Sequence, residues 1–199
     1  MLLLVTGSSC AGKTTAAEGC RDLPGVHVHD SDEHGVPSGA DTAWRQGDLR
    51  SWVGRAVELQ GTGEHLLLTS QSPLGELLAV PEADQLPVAV CLLDVDDAVR
   101  AHRLESRDPG QWSDEVKAAF ASWGRWHRRH AADPQYQPQV ITDGGAPAMR
   151  WDRWTDWPAQ HPDWSTHVID TTNSAPAETR EALRRWAIEA MRQALPIDR

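Results

Sequence analysis

The chain has 199 residues, a formal net charge of −10, and 40% hydrophobic and 24% charged residues. That length allows one domain with a substantial core, and the acidic balance argues against a broad nucleic-acid footprint, which needs Lys and Arg to neutralise phosphates. No stretch approaches the ~20 apolar residues of a membrane-spanning helix, and Met1–Val5 is too short for a signal peptide, so a cytoplasmic location is the default expectation.

Met1 to Thr6 is a short apolar run and reads as a buried strand. It leads straight into Gly7-Ser8-Ser9-Cys10-Ala11-Gly12-Lys13-Thr14, which matches G-x-x-x-x-G-K-[ST]. The pattern has a mechanism. Glycines let the backbone wrap a phosphate chain with N–H groups turned inward, and the following helix points its positive end at the same place. Gly7 and Gly12 frame the loop, with Ser8, Ser9, Cys10 and Ala11 between them. Lys13 is expected to reach the outer phosphates, Thr14 to hold Mg²⁺ through its hydroxyl, and Thr15 to approach the inner phosphate. Lys13 stands out because Lys117 is the only other lysine. Cys10 reads as a small filler. With Cys20 and Cys91 it makes an odd set without C-x-x-C spacing, so neither a disulfide framework nor a zinc site is expected.

A helix is expected from Lys13 to about Leu23, ended by Pro24-Gly25. Val26 to His29 forms a second strand, closing on Asp30-Ser31-Asp32. Ala40 to Gln60 is helical by periodicity, with Trp44, Leu49, Trp52, Val53, Ala56 and Leu59 on its apolar face. His65 to Ser70 is a third strand, Pro73 to about Val80 a short helix, and Pro87 to Leu93 a fourth strand. Asp94 is expected to cap a helix that runs to Arg107 and breaks at Asp108-Pro109-Gly110. Ser113 caps a further helix to about Ala131, with Asp114 and Glu115 in its first turn.

Residues 133–164 lack clean periodicity and carry Pro134, Pro138, Pro147, Pro158 and Pro162. Their tryptophans mark them as an insertion on the sheet, because disordered segments are poor in aromatics. His167 to Ile169 is a last strand and Ala177 to Ala194 the closing helix. Strands alternating with helices predict an α/β three-layer sandwich with a parallel, five-stranded sheet. A single domain is expected over 1–199, with 95–164 as a lid and substrate-covering insertion.

No Asn-Lys-x-Asp string for guanine recognition occurs, and the third strand, ending Thr69-Ser70-Gln71, carries no acid of the kind mechanical ATPases use. Four places, in order, resemble the small-molecule and nucleotide kinases of the P-loop class, the group of shikimate kinase, gluconate kinase and chloramphenicol phosphotransferase. They are the loop at 7–14, the Asp30-Ser31-Asp32 turn, and Leu93-Asp94 followed by Arg100, Arg103 and Arg107, which is similar to the family's lid region. The fourth is Val168-Ile169-Asp170-Thr171-Thr172 with Pro176-Ala177-Glu178, similar to the segment that lies against adenine. The resemblance implies ATP and Mg²⁺ as cofactors and a small-molecule acceptor.

Phosphoryl transfer needs a positioned hydroxyl, a cation and neutralising charges. A carboxylate at a strand's C-terminal end, beside the phosphate loop, can take the acceptor's proton or hold a metal-bound water. Asp32 is expected to be the base and Asp30 part of the metal shell, and the two roles could be exchanged. Arg103 and Arg107 are four apart, share a helix face and are expected to close over the transferring phosphate. Shikimate itself is not expected: Thr69-Ser70-Gln71-Ser72-Pro73 stands where shikimate kinase has a glycine run, and the arginines that bind its substrate's carboxylate have no match. Gln71 could bond an acceptor or satisfy its own loop.

Seven of the ten tryptophans lie between Trp112 and Trp164. Trp123 and Trp126 share a helix with His127, Arg128, Arg129 and His130, and Trp151, Trp154 and Trp157 are spaced by three. They are expected to build a small core over the site, with one or two indoles lining the acceptor pocket, which would suit an aromatic acceptor such as a nucleoside or an antibiotic. No ligand role is assigned to His127, His130, His27 or His29. The expected function is transfer of the γ-phosphoryl group of ATP to a hydroxyl of a small organic acceptor. One alternative is a nucleotide or RNA-end kinase, although net charge disfavours nucleic acid; another is a regulatory module that binds ATP and hydrolyses it slowly.

Overall fold

Leu2–Thr6 (β1) is buried along its whole length, with Leu2 and Leu4 in one apolar cluster and Leu3 and Val5 in another. Successive side chains on a strand point to opposite faces, so a sheet covered on both sides reads as a continuous apolar run. The computed structural model describes residues 1–194; residues 195–199, the end of the expected domain, lie outside the described residues. After β1 come Lys13–Ala17 (α1), Val26–Asp30 (β2), Thr42–Gln60 (α2), His65–Thr69 (β3) and Leu74–Ala79 (α3). Val88–Asp94 (β4), Asp97–Arg107 (α4), Asp114–Ala132 (α5), Gln139–Thr142 (α6), His167–Asp170 (β5) and Pro176–Ala194 (α7) follow.

The five strands pair in parallel in the order β2-β3-β1-β4-β5. In register, Leu4 of β1 faces Leu68 of β3 on one side and Val90 of β4 on the other. A parallel sheet gathers the C-terminal ends of its strands on one edge, where α/β folds place their ligands. Here that edge collects Gly7, Asp30, Ser70, Asp94 and Thr171. One face of the sheet is covered by α1, the turn after it and α7, through Ala16, Ala17, Cys20, Leu183 and Ala187. The other is covered by α2, α3 and the tryptophans of α5 and the insertion.

Several boundaries differ from the expectation. Asp94 does not cap α4. Its carboxylate ends β4, accepts from the Val95 N–H at 2.9 Å and pairs with Arg128, while Asp96 is the cap, accepting from the Ala98 N–H at 2.8 Å. The two extra residues let the chain leave the sheet before it coils. Helix α2 starts at Thr42, because Asp41 accepts from the Trp44 N–H at 2.8 Å. Of its expected apolar face, Leu49, Trp52, Val53 and Ala56 are buried, whereas Trp44 and Leu59 are half-buried. Helix α1 gives way after Ala17 to a 3-10 turn over Glu18–Cys20, short of Leu23.

The insertion is packed tightly on α3 and α5. The Trp154 side chain is 0% exposed and its indole N–H donates to the Gly75 carbonyl at 2.8 Å. Trp164 donates to the His130 carbonyl at 3.0 Å and Trp126 to the Gln137 carbonyl at 3.2 Å. Arg153 donates to the carbonyls of Leu78, Val80 and Pro81 at 3.1, 2.6 and 2.9 Å, closing the C-terminal end of α3.

Candidate functional site

The phosphate-loop backbone takes its shape from two glycines and from bonds to its outer side. Gly7 has φ +144°, and a Cβ there would stand 2.4 Å from the Leu93 carbonyl oxygen, so no other residue fits at the end of β1. Gly12, at φ +95°, turns the chain into α1. Between them, each successive residue is tied to a neighbouring element. The Ser8 hydroxyl donates to the Phe120 carbonyl of α5 at 2.7 Å, and Arg100 Nη1 of α4 donates to the Ser9 carbonyl at 2.9 Å. Arg103 Nη1 reaches the Cys10 carbonyl at 3.4 Å, and the Thr171 hydroxyl donates to the Ala11 carbonyl at 3.1 Å. The C=O and N–H of a trans peptide point in opposite directions. Pinning the Ser9 and Ala11 carbonyls outward therefore turns the N–H groups of Cys10 and Gly12 toward the cavity that these residues line.

Lys13 Nζ donates to the Gly7 and Ser8 carbonyls at 2.8 and 3.3 Å. Burial pulls its pKa from 10.5 down to about 8, against the opposing pull of Asp30 and Asp32. A desolvated ammonium held this way has a strong claim on an incoming phosphate.

The expected pair of carboxylates diverges in its bonding. Asp30 Oδ2 accepts from the Thr14 hydroxyl at 2.8 Å and from the Thr69 hydroxyl at 2.7 Å, and Oδ1 accepts from the Asp32 N–H at 3.1 Å. It also caps the 3-10 turn Ser31–His34, so a catalytic and a structural reading of this residue coexist. Asp32 is exposed, and among the described residues its side chain is met by the Ser31 hydroxyl at 3.3 Å. Nearby, the Asp48 carboxyl is pushed up, by burial first and by the charge of Asp32 second.

A cavity of about 620 Å³ runs over the loop. Its near end is walled by Asp30, Ser31, Asp32, Ser70 and Gln71, beyond β2 and β3. Its far end is walled by Arg103 and Arg107 of α4 and by Thr171, Ser174, Pro176 and Thr179 beyond β5. Both arginines expected from the sequence therefore reach it, by different means. Arg103 is fastened to the Thr171 carbonyl at 2.5 Å and its hydroxyl at 3.0 Å, whereas Arg107 is mostly exposed and bonds Asp108 at 2.7 Å. Among the described residues no tryptophan lines this cavity, and the indoles of the insertion pack beside α3.

Sequence reasoning missed several supports. Arg100, grouped in the sequence with Arg103 and Arg107 as part of a lid, is instead 1% exposed and lies beneath the loop, a place its sequence neighbourhood did not reveal. Gln46 is fully buried, donates to Glu76 at 3.0 Å and to the Ile141 carbonyl at 2.8 Å, and accepts from the Ala146 N–H at 2.7 Å. A polar residue three before Leu49 on an otherwise apolar stripe was the available signal. Thr69, which orients Asp30, carried none.

Oxygen donors at Thr14 and Asp30 suit a hard dication such as Mg²⁺. No cluster of three or more His, Cys, Asp or Glu side chains able to hold a metal exists among the described residues. A cation here would take its remaining ligands from substrate and water, which is Mg²⁺ behaviour. Among the described residues no helix is long and apolar enough to cross a membrane.

No family model and no curated protein sequence matches the chain. Among solved structures it is similar to a sugar kinase from a Janibacter species, at 19% identity and a TM-score of 0.60 over 98% of each chain. It is also similar to a candidate kinase from Chloroflexus aurantiacus, at 15% identity and a TM-score of 0.54 over 98% of this chain and 97% of that one. With the five-stranded parallel sheet, these likenesses show the fold: the chain shares the three-layer α/β architecture of these two structures.

Proposed function

We propose that the protein is an ATP-dependent phosphotransferase acting on a hydroxyl of a small organic acceptor. The observation that carries this reading is the unencumbered carboxylate of Asp32 in the same cavity as Lys13 and the outward-pinned loop. The phosphates of ATP lie along residues 7–15, and the base lies toward Thr171, Ser174 and Pro176. The acceptor hydroxyl occupies the end walled by Asp32 and Gln71.

Asp32 accepts the proton of the acceptor hydroxyl as its oxygen bonds to the γ-phosphorus. The bond from that phosphorus to the β–γ bridging oxygen breaks, and ADP leaves with the electron pair. Lys13 holds the transferring group throughout, and Arg107, free at its tip, closes on it from the far end. Arg103 keeps the loop in register by its bonds to Cys10 and Thr171. Thr14 and Asp30 would hold Mg²⁺, which when bound neutralises charge on the outer phosphates. Residues 95–164 serve as the covering segment, tied to the loop through Arg100 and Phe120.

The test is transfer of label from γ-labelled Mg²⁺-ATP into a small-molecule extract, with Asp32→Asn alongside. Label that appears with the natural protein and is lost in the variant, while ATP still binds, is the expected result. ATP binding without transfer to any acceptor would instead favour a regulatory module.

A further inference from the structure

The cavity is asymmetric in charge, and the strand order is the reason. Residues after β2 and β3 wall one end, residues of α4 and those after β5 wall the other, and the phosphate loop after β1 lies between. The arginines that line the cavity, Arg103 and Arg107, are both at the β5 end. The β2–β3 end offers two carboxylates, the hydroxyls of Ser31 and Ser70, and the amide of Gln71.

Several cations around the loop are already committed. Arg45 makes two bonds to Glu76, at 2.5 and 3.1 Å, and lies over the Trp123 ring at 4.9 Å. The Glu76 side chain is 0% exposed, so withdrawing Arg45 toward a ligand would strand a buried carboxylate. Arg128 is paired with Asp94, and Arg100 is held beneath the loop by the Ser9 and Val95 carbonyls. Lys13 serves the transferring phosphate. Among the described residues that wall this end, an acceptor bearing a carboxylate or phosphate would meet two like charges and no guanidinium, although recognition of such groups rests on charge-assisted bonds. Hydroxyl groups fit instead, because carboxylates accept from them, serine hydroxyls do both, and the glutamine amide donates and accepts. Among the described residues no aromatic ring lines these walls, so stacking does not contribute to acceptor recognition there.

From this lining we infer that the acceptor is a hydroxyl-rich molecule without an anionic group, a neutral sugar or polyol. The inference deepens the phosphotransferase reading and rests on it. A carboxylate placed a few ångströms from Asp32 at a surface-like dielectric suffers a penalty equivalent to about 100-fold.

The experiment separates a small-molecule extract on an anion exchanger into anionic and non-anionic pools, then supplies each with γ-labelled Mg²⁺-ATP and the intact protein. Asp32→Asn is the control. Label is expected in the non-anionic pool, lost in the variant. Purified pairs then refine it: the alditol or sugar that accepts should exceed the acid made by oxidising its terminal carbon by about 100-fold in kcat/KM. Label confined to the anionic pool, or an acid that accepts as well as its neutral partner, overturns this inference and leaves the kinase reading standing. No label in either pool, with ATP bound, overturns both.

Discussion

Asp30 and Asp32 sit two residues apart on one turn, yet their carboxylates have different surroundings. Asp30 is saturated by Thr14, Thr69 and the Asp32 N–H, whereas Asp32 faces the cavity with one weak partner. Exchanging each for asparagine should separate their roles. Asp32→Asn is expected to lower kcat by about 10²–10⁴, the usual contribution of a general base, with ATP affinity little changed. Asp30→Asn is expected to raise the Mg²⁺ concentration needed for half-maximal rate. Steady-state kinetics against Mg²⁺, with ATP binding by calorimetry, reads both; equal loss of ATP binding in the two variants would remove the distinction. Gly7→Ala should abolish ATP binding, because its Cβ would sit 2.4 Å from the Leu93 carbonyl oxygen. The positions of these residues were legible in the sequence. Their division of labour was not, since it depends on Thr69, thirty-nine residues away from Asp30.

Helix α5 joins the loop to the insertion. Phe120 takes the Ser8 hydroxyl, and Gly124 makes room for Arg100: a Cβ on Gly124 would lie 2.5 Å from Arg100 Nη2. Gly124→Ala is therefore expected to displace Arg100 from the Ser9 carbonyl and weaken ATP binding, although residue 124 touches no phosphate. Calorimetric titration of ATP measures it, and an unchanged dissociation constant would disconnect α5 from the loop. Farther along, Trp154 fills the centre of the packing against α3, and Trp154→Ala should cost about 3–5 kcal/mol of stability in urea unfolding. At this scale the helices and strands were legible from periodicity and turn residues, apart from their ends. The insertion was visible as composition, but where its indoles would pack was not. Aromatics spaced by three can equally line a pocket or fill a core, and only the face of α3 they meet decides between them.

Across the whole molecule, acid sensitivity follows from two buried imidazoles of α5. His127 is pulled from 6.5 to about 3, mainly by burial and then by His130, Lys13, Arg45 and Arg100. His130 is pulled from 6.5 to about 4, again mainly by burial. Unfolded, each takes up a proton near pH 6.5; folded, each stays neutral well below that. The unfolded state thus binds more protons from about 6.5 down to about 4, and these groups make stability fall as the pH drops through that window. Urea midpoints measured at pH 7 and pH 5 should differ, and His130→Phe should reduce the difference. A midpoint independent of pH in both proteins would show that the imidazoles are accessible to protons without unfolding.

The sequence by itself determined the phosphate loop, the alternation of five strands with helices, and the candidate carboxylates and arginines, because these rest on local geometry: glycine torsions, apolar period and helix spacing. Tertiary structure alone decided which carboxylate is left with one weak partner, that Arg103 braces the loop while the tip of Arg107 is free, and that among the described residues no arginine lines one end of the cavity. Those outcomes depend on contacts between residues far apart in the chain, such as Arg45 with Glu76 and Arg103 with Thr171. Pairing competes for each charged side chain among many partners, and the fold determines which of them comes within reach.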